Sequence, residues 1–303
     1  MIKALLGPNG TGKSTYLRKL MGLESGKINL EMAMVFQEPL LFDLTVFENI
    51  ALGLKARGIK EIKEKVTHWM KIFGISDLRN RRAITLSGGE AQKASLARAM
   101  AFDPKILLLD EPFANLDLPT QIELKNRLKQ IIKEKSIETI WVTHNKSEAL
   151  EIADYLMIMI NGKIVQEGLP SEVIQKPETV EIASFLGIDN IFHGRIYKSS
   201  GHSIFENDKI KIETASVEKE NAWIVIHPED IILSTTPLPK TSARNSLAGI
   251  AEDITATGLT YRIKINAGEI FKVNITRISA EEMDIKPGSK LFLTFKATAV
   301  QVL

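Results

Sequence analysis

Gly7-Pro8-Asn9-Gly10-Thr11-Gly12-Lys13-Ser14, entered from a short apolar strand and left through the helical pattern Tyr16–Met21, fits G-x-x-x-x-G-K-[ST] at every fixed position. Glycines let the backbone wrap a phosphate with its N–H groups, and the following helix N-terminus adds a favourable dipole. In such a loop Lys13 reaches the β- and γ-phosphates of a nucleotide and the Ser14 hydroxyl ligates Mg²⁺. The plain alternative is a glycine-rich turn with a chance lysine. The strand–loop–helix context argues against it.

The same pattern continues outward. Up to about residue 190, short apolar runs alternate with helical ones, as in a mostly parallel sheet covered by helices. Lys105–Leu109 reads as a strand buried on both faces, Glu138–Thr143 as another, and Gln121–Lys135 as the helix between them. Tyr155–Ile160 and Lys163–Glu167 flank Asn161-Gly162, a hairpin signal, and Glu178–Leu186 reads as a helix stopped by Gly187. Beyond Asn190 helical periodicity fades. Trp223–Ile226, Tyr261–Ile265, Ile270–Ile275 and Leu291–Phe295 read as strands separated by turns such as Asn266-Ala-Gly268 and Lys286-Pro-Gly288, with no short-period repeat. We therefore expect an α/β domain over residues 1–189 and a small all-β, OB-like domain over 190–303.

Composition narrows the partners. The 39 basic and 37 acidic side chains leave a net charge of +2, which gives no electrostatic reason to expect nucleic acid. Cysteine is absent, so disulfides and thiolate metal sites are excluded. No apolar run approaches the roughly 18 residues of a spanning helix, and no signal peptide precedes Gly7. A membrane role must come through another chain.

Three further constellations carry chemistry. Asp110 and Glu111 close an apolar strand, where ligands collect in parallel sheets; adjacent strand residues point oppositely, so one acid suits the Mg²⁺ shell and the other general-base work on water. Alone, such a pair is an ordinary solvated strand end. Leu86-Ser-Gly-Gly-Glu90 precedes the alanine-rich helix Ala91–Ala101; Ser87 and Glu90 have capping-box spacing, and the same helix N-terminus can hold a phosphate. Gln37, in Val35-Phe-Gln-Glu-Pro39, and His144, in Val142-Thr-His-Asn145, would singly be structural filler.

Lys13, Gln37, Leu86–Glu90, Asp110-Glu111, Asn115-Leu-Asp117 and His144, in that order, resemble the motif set of the ABC-type ATPases over residues 1–186. The resemblance implies an ATP-hydrolysing, Mg²⁺-dependent subunit of the P-loop NTPase fold. Gly7, Pro8, Asn9, Gly10, Thr11, Gly12, Lys13, Ser14 and Thr15 would grip the nucleotide, while Ser14, Gln37 and Asp110 would serve the metal. Glu111 would be the base, His144 the γ-phosphate switch and Gln37 the sensor. Ser87, Gly88, Gly89 and Asp117 would act on the nucleotide of a second copy in a head-to-tail homodimer. It further implies transmembrane permease subunits, indirectly a solute-binding protein, and a peripheral place on the cytoplasmic face of the membrane.

Residues 190–303 resemble the accessory β-domain of a subset of importer ATPases. Thr241-Ser-Ala-Arg-Asn245, Thr276-Arg-Ile-Ser-Ala280 and Lys296-Ala-Thr-Ala-Val300 look like the TOBE/Mop-type module that holds molybdate or tungstate. Ser242, Arg244, Asn245, Ser279 and Lys296 are its candidate oxyanion ligands, since a tetrahedral dianion takes hydroxyls, amides and cations. Sulfate, polyamine or iron are alternative cargoes, and an ABC ATPase acting on nucleic acid a more distant alternative; scattered aromatics argue against an oligonucleotide groove.

The chain departs from the family in two respects. Members usually begin with one more hairpin carrying an adenine-stacking aromatic, whereas Met1 lies six residues before Gly7, and the Lys13-to-Gln37 spacing is short. That hairpin is expected to be missing, and ATP binding to be roughly ten- to a hundredfold weaker than in a relative that has it.

Overall fold

A computed structural model describes residues 1–303, which divide into two compact units, Met1–Val173 and Ile174–Leu303. The divide falls before the change of sequence character at residue 190, so the helix ending at Gly187 groups with the β-strands.

In the first unit, β1 (Ile2–Leu6) leads into α1 (Lys13–Met21) and β2 (Met32–Val35), with turns and no strand between the last two. A helical layer follows, of α2 (Val46–Ala56), α3 (Ile62–Ile72) and α4 (Gly88–Met100), packed around buried Ile50, Leu54, Trp69, Met70, Leu96 and Met100. Then come β3 (Ile106–Asp110), α5 (Leu118–Glu134), β4 (Glu138–Thr143), α6 (Lys146–Ile152) and the hairpin β5 (Tyr155–Ile160) and β6 (Lys163–Gly168). Asn161 and Gly162 both have positive φ, at 49° and 77°, as a tight hairpin turn requires.

The six strands form one sheet in the order β2-β3-β4-β1-β5-β6, parallel except for the last pair. β3 is apolar at every position before Asp110 because neighbours cover both its edges and layers cover both its faces. Parallel register sets the ends of the strands level: Leu6 pairs with Thr143, and Asp110 with Val142. The loops after β1, β3 and β4 therefore leave from one edge.

The second unit opens with α7 (Pro170–Gln175), which straddles the divide, and α8 (Val180–Leu186). Two antiparallel meanders follow. The first is β7 (Asn190–Ser199), β8 (His202–Glu206) and β9 (Lys211–Thr214), after which β10 (Lys219–Ile226) returns to pair with β7 and β11 (Ile232–Ser234) follows. The second is β12 (Asn245–Thr257), β13 (Thr260–Asn266) and β14 (Ile270–Thr276), then α9 (Arg277–Glu282), β15 (Lys290–Phe295) and β16 (Val300–Val302). The sheets run β16-β10-β7-β8-β9 and β11-β15-β12-β13-β14, so each half supplies four strands to one sheet and one edge strand to the other. Both sheets close on a single core that includes Phe192, Phe205, Ile224, Ile263, Phe271 and Phe295. No helix of the chain is long and apolar enough to cross a membrane.

The two halves repeat each other. Asn190 and Asn245 each start a three-stranded meander, β7-β8-β9 and β12-β13-β14, and each reaches across to the third strand of the other one. The Asn190 amide takes Lys272 N at 2.6 Å and donates to Lys272 O at 2.8 Å; the Asn245 amide takes Glu213 N at 2.7 Å and donates to Glu213 O at 2.9 Å. Four residues on, Gly194 and Gly249 lie so close to the neighbouring strand that a Cβ would come within 2.4 Å of Glu206 O in one case and 2.6 Å of an Ile265 methyl in the other. N-x-x-x-G is thus the signature of the repeat. Asn190 is fully buried and also donates to Ile226 O at 3.1 Å. Asn190→Ala, which strands these backbone groups, should cost about 3 kcal/mol or more, read as a lowered calorimetric transition of the second unit.

Candidate ATP site

Helix α1 begins at Lys13 behind Gly12, whose φ of 89° belongs to the left-handed region that favours glycine. The turn points the first N–H groups of α1 into a cleft lined by Asn9, Gly10, Gly12, Lys13, Ser14, Thr15, Gln37 and Glu111. Lys13 is buried, and its ammonium donates to Gly7 O and Pro8 O, both at 2.8 Å. Burial pushes its pKa down, and the carboxylates of Glu111 and Asp110 oppose that shift. The lysine is thus folded onto its own loop by weak acceptors that a phosphate oxygen can replace.

Asp110, at the end of β3, accepts a hydrogen bond from the Ser14 hydroxyl at 3.0 Å. Burial holds its pKa above the usual carboxylate range, with Ser14 pulling the other way. Glu111 has a φ of 43°, strained for a residue with a side chain, and its N–H is fixed to Val142 O at 3.1 Å. That turn sends its carboxylate away from Asp110 to His144, whose Nδ1 donates to Glu111 Oε2 at 2.9 Å. The strand ends thus bring Lys13, Ser14, Gln37, Asp110, Glu111 and His144 together.

Ser87, Gly88, Gly89 and Asp117 do not line this cleft. Ser87 caps α4 in a full capping box: its N–H and hydroxyl donate to Glu90 Oε2 at 2.7 and 2.9 Å, which keeps the Glu90 pKa below its usual value. Arg81 Nη1 holds the other Glu90 oxygen at 3.2 Å. Asp117 caps α5, accepting from Thr120 N at 3.0 Å. The glycines beside Ser87 leave the helix start uncrowded: a Cβ at Gly88 would meet nothing within 4 Å.

The oxyanion candidates separate. Ser242, Arg244 and Asn245 lie at the start of β12, and Lys296 directly follows Phe295, which pairs with Asn245. Ser279 sits on α9, after Thr276; that residue pairs with Thr260 of β13, which in turn pairs with Thr257 at the far end of β12. One chain therefore does not bring Ser279 to the other four. The Asn245 amide is already taken up by Glu213, and Arg244 Nε lies 3.8 Å from Glu213 Oε1, which His202 Nδ1 also approaches at 3.2 Å. Ser242, Arg244 and Lys296 remain as donors on one chain.

Several contributors have no motif. Asn49 is fully buried, and Arg98, alone among the alanines of α4, points at the segment after Gln37. An arginine on a small-residue face was the available signal.

Because the folded Asp110 pKa is raised, its penalty is absent below the unfolded carboxylate pKa and fully present above the folded one. At neutral pH, Asp110→Asn should therefore raise the melting temperature of the nucleotide-free chain while lowering ATPase activity at least about tenfold, by scanning calorimetry and phosphate release.

The comparisons with known proteins agree with this geometry. The ABC transporter family pattern matches residues 1–114 and the TOBE domain pattern residues 241–302. The molybdate/tungstate import ATP-binding protein WtpC of Pyrococcus abyssi is 37% identical, covering 98% of this chain and 91% of that protein. The sulfate/thiosulfate import ATP-binding protein CysA 2 of Shewanella oneidensis is 34% identical over 96% of this chain and 88% of its own. The structure of cbiO1 from Clostridium perfringens, part of the ABC transporter complex cbiONQ, matches 60% of this chain and 82% of its own, with a TM-score of 0.51 and 29% identity. A phosphate loop, a strand-end acid pair and a histidine on one sheet edge, followed by paired β-sheets, place this chain in the family of ABC transporter ATP-binding proteins, ATP-hydrolysing import subunits with a TOBE domain.

Proposed function

We propose that this chain powers import of a tetrahedral oxyanion of the molybdate/tungstate class, as one of two identical ATPase subunits beneath a membrane permease. The observation that carries the two-copy reading is that the phosphate loop, Gln37 and Glu111 line the cleft, with Asp110 bonded to Ser14 and His144 to Glu111, whereas the serine-capped start of α4 neither lines it nor bonds to those residues. A head-to-tail second copy supplies that helix N-terminus to the exposed side of the nucleotide. The cargo reading rests on the near full-length likeness to the molybdate/tungstate proteins. Sulfate is the second reading, favoured by the likeness to the sulfate/thiosulfate proteins.

On ATP binding, Lys13 leaves Gly7 O and Pro8 O for the β- and γ-phosphate oxygens, and the N–H groups of residues 10–15 close around them. The Ser14 hydroxyl and Asp110 carboxylate form a hard-oxygen pair that fits Mg²⁺, with Gln37 beside them. Held there, Mg²⁺ would supply charge neutralisation to the nucleotide phosphates. Glu111 takes the proton of the attacking water. His144, freed from Glu111, donates to the γ-phosphate. Ser87 of the second copy turns its hydroxyl from Glu90 to the same phosphate.

Glu111→Gln should lower kcat by about 10²–10⁴ and trap an ATP-bound dimer, while Lys13→Ala should weaken ATP binding about tenfold or more. Sedimentation with ATP and a phosphate-release assay read both; hydrolysis by Glu111→Gln at the wild-type rate would rule out Glu111 as the base.

An oxyanion held at Ser242, Arg244 and Lys296, with Ser279 joining from a second copy, would restrain the ATPase pair and limit uptake. Tungstate or molybdate should then lower ATPase activity of the assembled transporter more than sulfate does, and Arg244→Ala should blunt the effect. Equal activity with and without tungstate would remove this regulation and leave the importer reading standing.

A further inference from the structure

The segment Gln37–Leu44 lines the ATP cleft at one end and exposes two large apolar side chains, Leu40 and Phe42, further along. Its far half is held firmly. The Asn49 amide accepts from Phe42 N at 2.8 Å and donates to Phe42 O at 3.0 Å and Thr45 O at 3.1 Å, while Arg82 clasps the Asp43 carboxylate through two nitrogens. The half next to Gln37 is different. Between residues 36 and 41 the hydrogen bonds to the rest of the fold come from Arg98, which donates through Nη2 to Pro39 O at 2.8 Å and through Nη1 to Leu40 O at 2.9 Å.

Two features make this grip unusual. Leu40 has a φ of 44°, a backbone state that its side chain disfavours, so something must hold it there. Arg98, in the last turn of α4, is half-buried, and no carboxylate offsets the desolvation that lowers its pKa. A guanidinium placed without an acid partner, its fork matched to two successive carbonyls, fixes direction as well as distance. A lysine in its place could reach only one carbonyl at a time.

We propose that Arg98 is a positioning residue for ATP hydrolysis: by clamping Pro39 O and Leu40 O it sets where Gln37 stands in the cleft and ties that placement to the helix that Ser87 caps. This rests on the reading of Gln37 as a metal-sensing residue of the site. Arg98 does not line the ATP cleft. Its loss therefore releases Gln37 without removing the phosphate grip of Lys13.

The full-length chain tests this with Mg²⁺ and ATP. Arg98→Ala should lower kcat about ten- to a hundredfold, as misplacement of one group by an ångström does, while the ATP dissociation constant stays within about twofold. Arg98→Lys should recover part of the loss. Gln37→Ala combined with Arg98→Ala should be no slower than Gln37→Ala alone, because both act through one side chain. Chymotrypsin should cut more quickly after Leu40 and Phe42 in Arg98→Ala than in the wild type. If Arg98→Ala fails to fold, seen as lost ATP binding, Arg98→Lys carries the test; wild-type kcat and wild-type cleavage in that variant would overturn the proposal. Full multiplication of the two single effects in the double variant, or a raised KM with unchanged kcat, would overturn it as well. Gln37→Ala turning over at the wild-type rate would instead remove the reading of Gln37, and chymotrypsin alone would then decide whether Arg98 holds the segment.

Discussion

Parallel pairing of β1, β3 and β4 in level register is the constraint from which the ATP cleft follows. β3 is flanked by hydrogen-bonded strands on both sides and Leu107–Leu109 are buried, so the strand cannot slip without exposing apolar side chains to water. Because Leu6, Asp110 and Thr143 end together, the phosphate loop, Glu111 and His144 emerge within reach of one another. Residues distant in the chain meet only because the ladder holds them, and the polar groups at that edge contribute little to holding it.

Those polar groups are in tension. Lys13 is buried against carbonyls and two acids, Asp110 is desolvated, and Glu111 sits on a strained backbone with its carboxylate occupied by His144. Each has a partner, and each partner is weaker than a phosphate or a metal would be. A site of this kind is satisfied enough to fold and unsatisfied enough to rearrange on binding, which is how functional sites depart from the best local choice.

Much of this was legible from residue order. Fixed-spacing motifs work because the chemistry of a phosphate loop or a cap is local: Gly12 must turn left-handed and Glu90 must lie three residues after Ser87. The strands Glu138–Thr143 and Tyr155–Ile160 were readable for the same reason, being apolar runs with clear ends. What escaped was relational. β7 and most of β12 are half-exposed strands of mixed polarity whose alternation is broken by a bulge or by a glycine, and β8 and β9 are only five and four residues long, so no periodic signal rises above the turns. The N-x-x-x-G repeat was visible in principle, but its meaning, an asparagine reaching the opposite sheet, lies in contacts across 82 and 32 positions of sequence. Arg98 was likewise hidden, because its partners are backbone carbonyls, which leave no trace in residue type.

The exchange of edge strands between the halves of the β-unit bears on how the chain comes off the ribosome. The first half emerges with β10, which ends at Ile226, bare on one side, since the strand that covers it, β16, begins only at Val300. The second half in turn needs β11, made long before, to complete its own edge. Neither half can mature while the other is absent, so synthesis must carry an open, pairing-competent edge through most of the unit's length. Native closure waits on a late, long-range event, a slow kind of step in β-rich chains, and a nascent chain halted before Val300 would present that edge to whatever strand it meets, including that of a neighbouring copy.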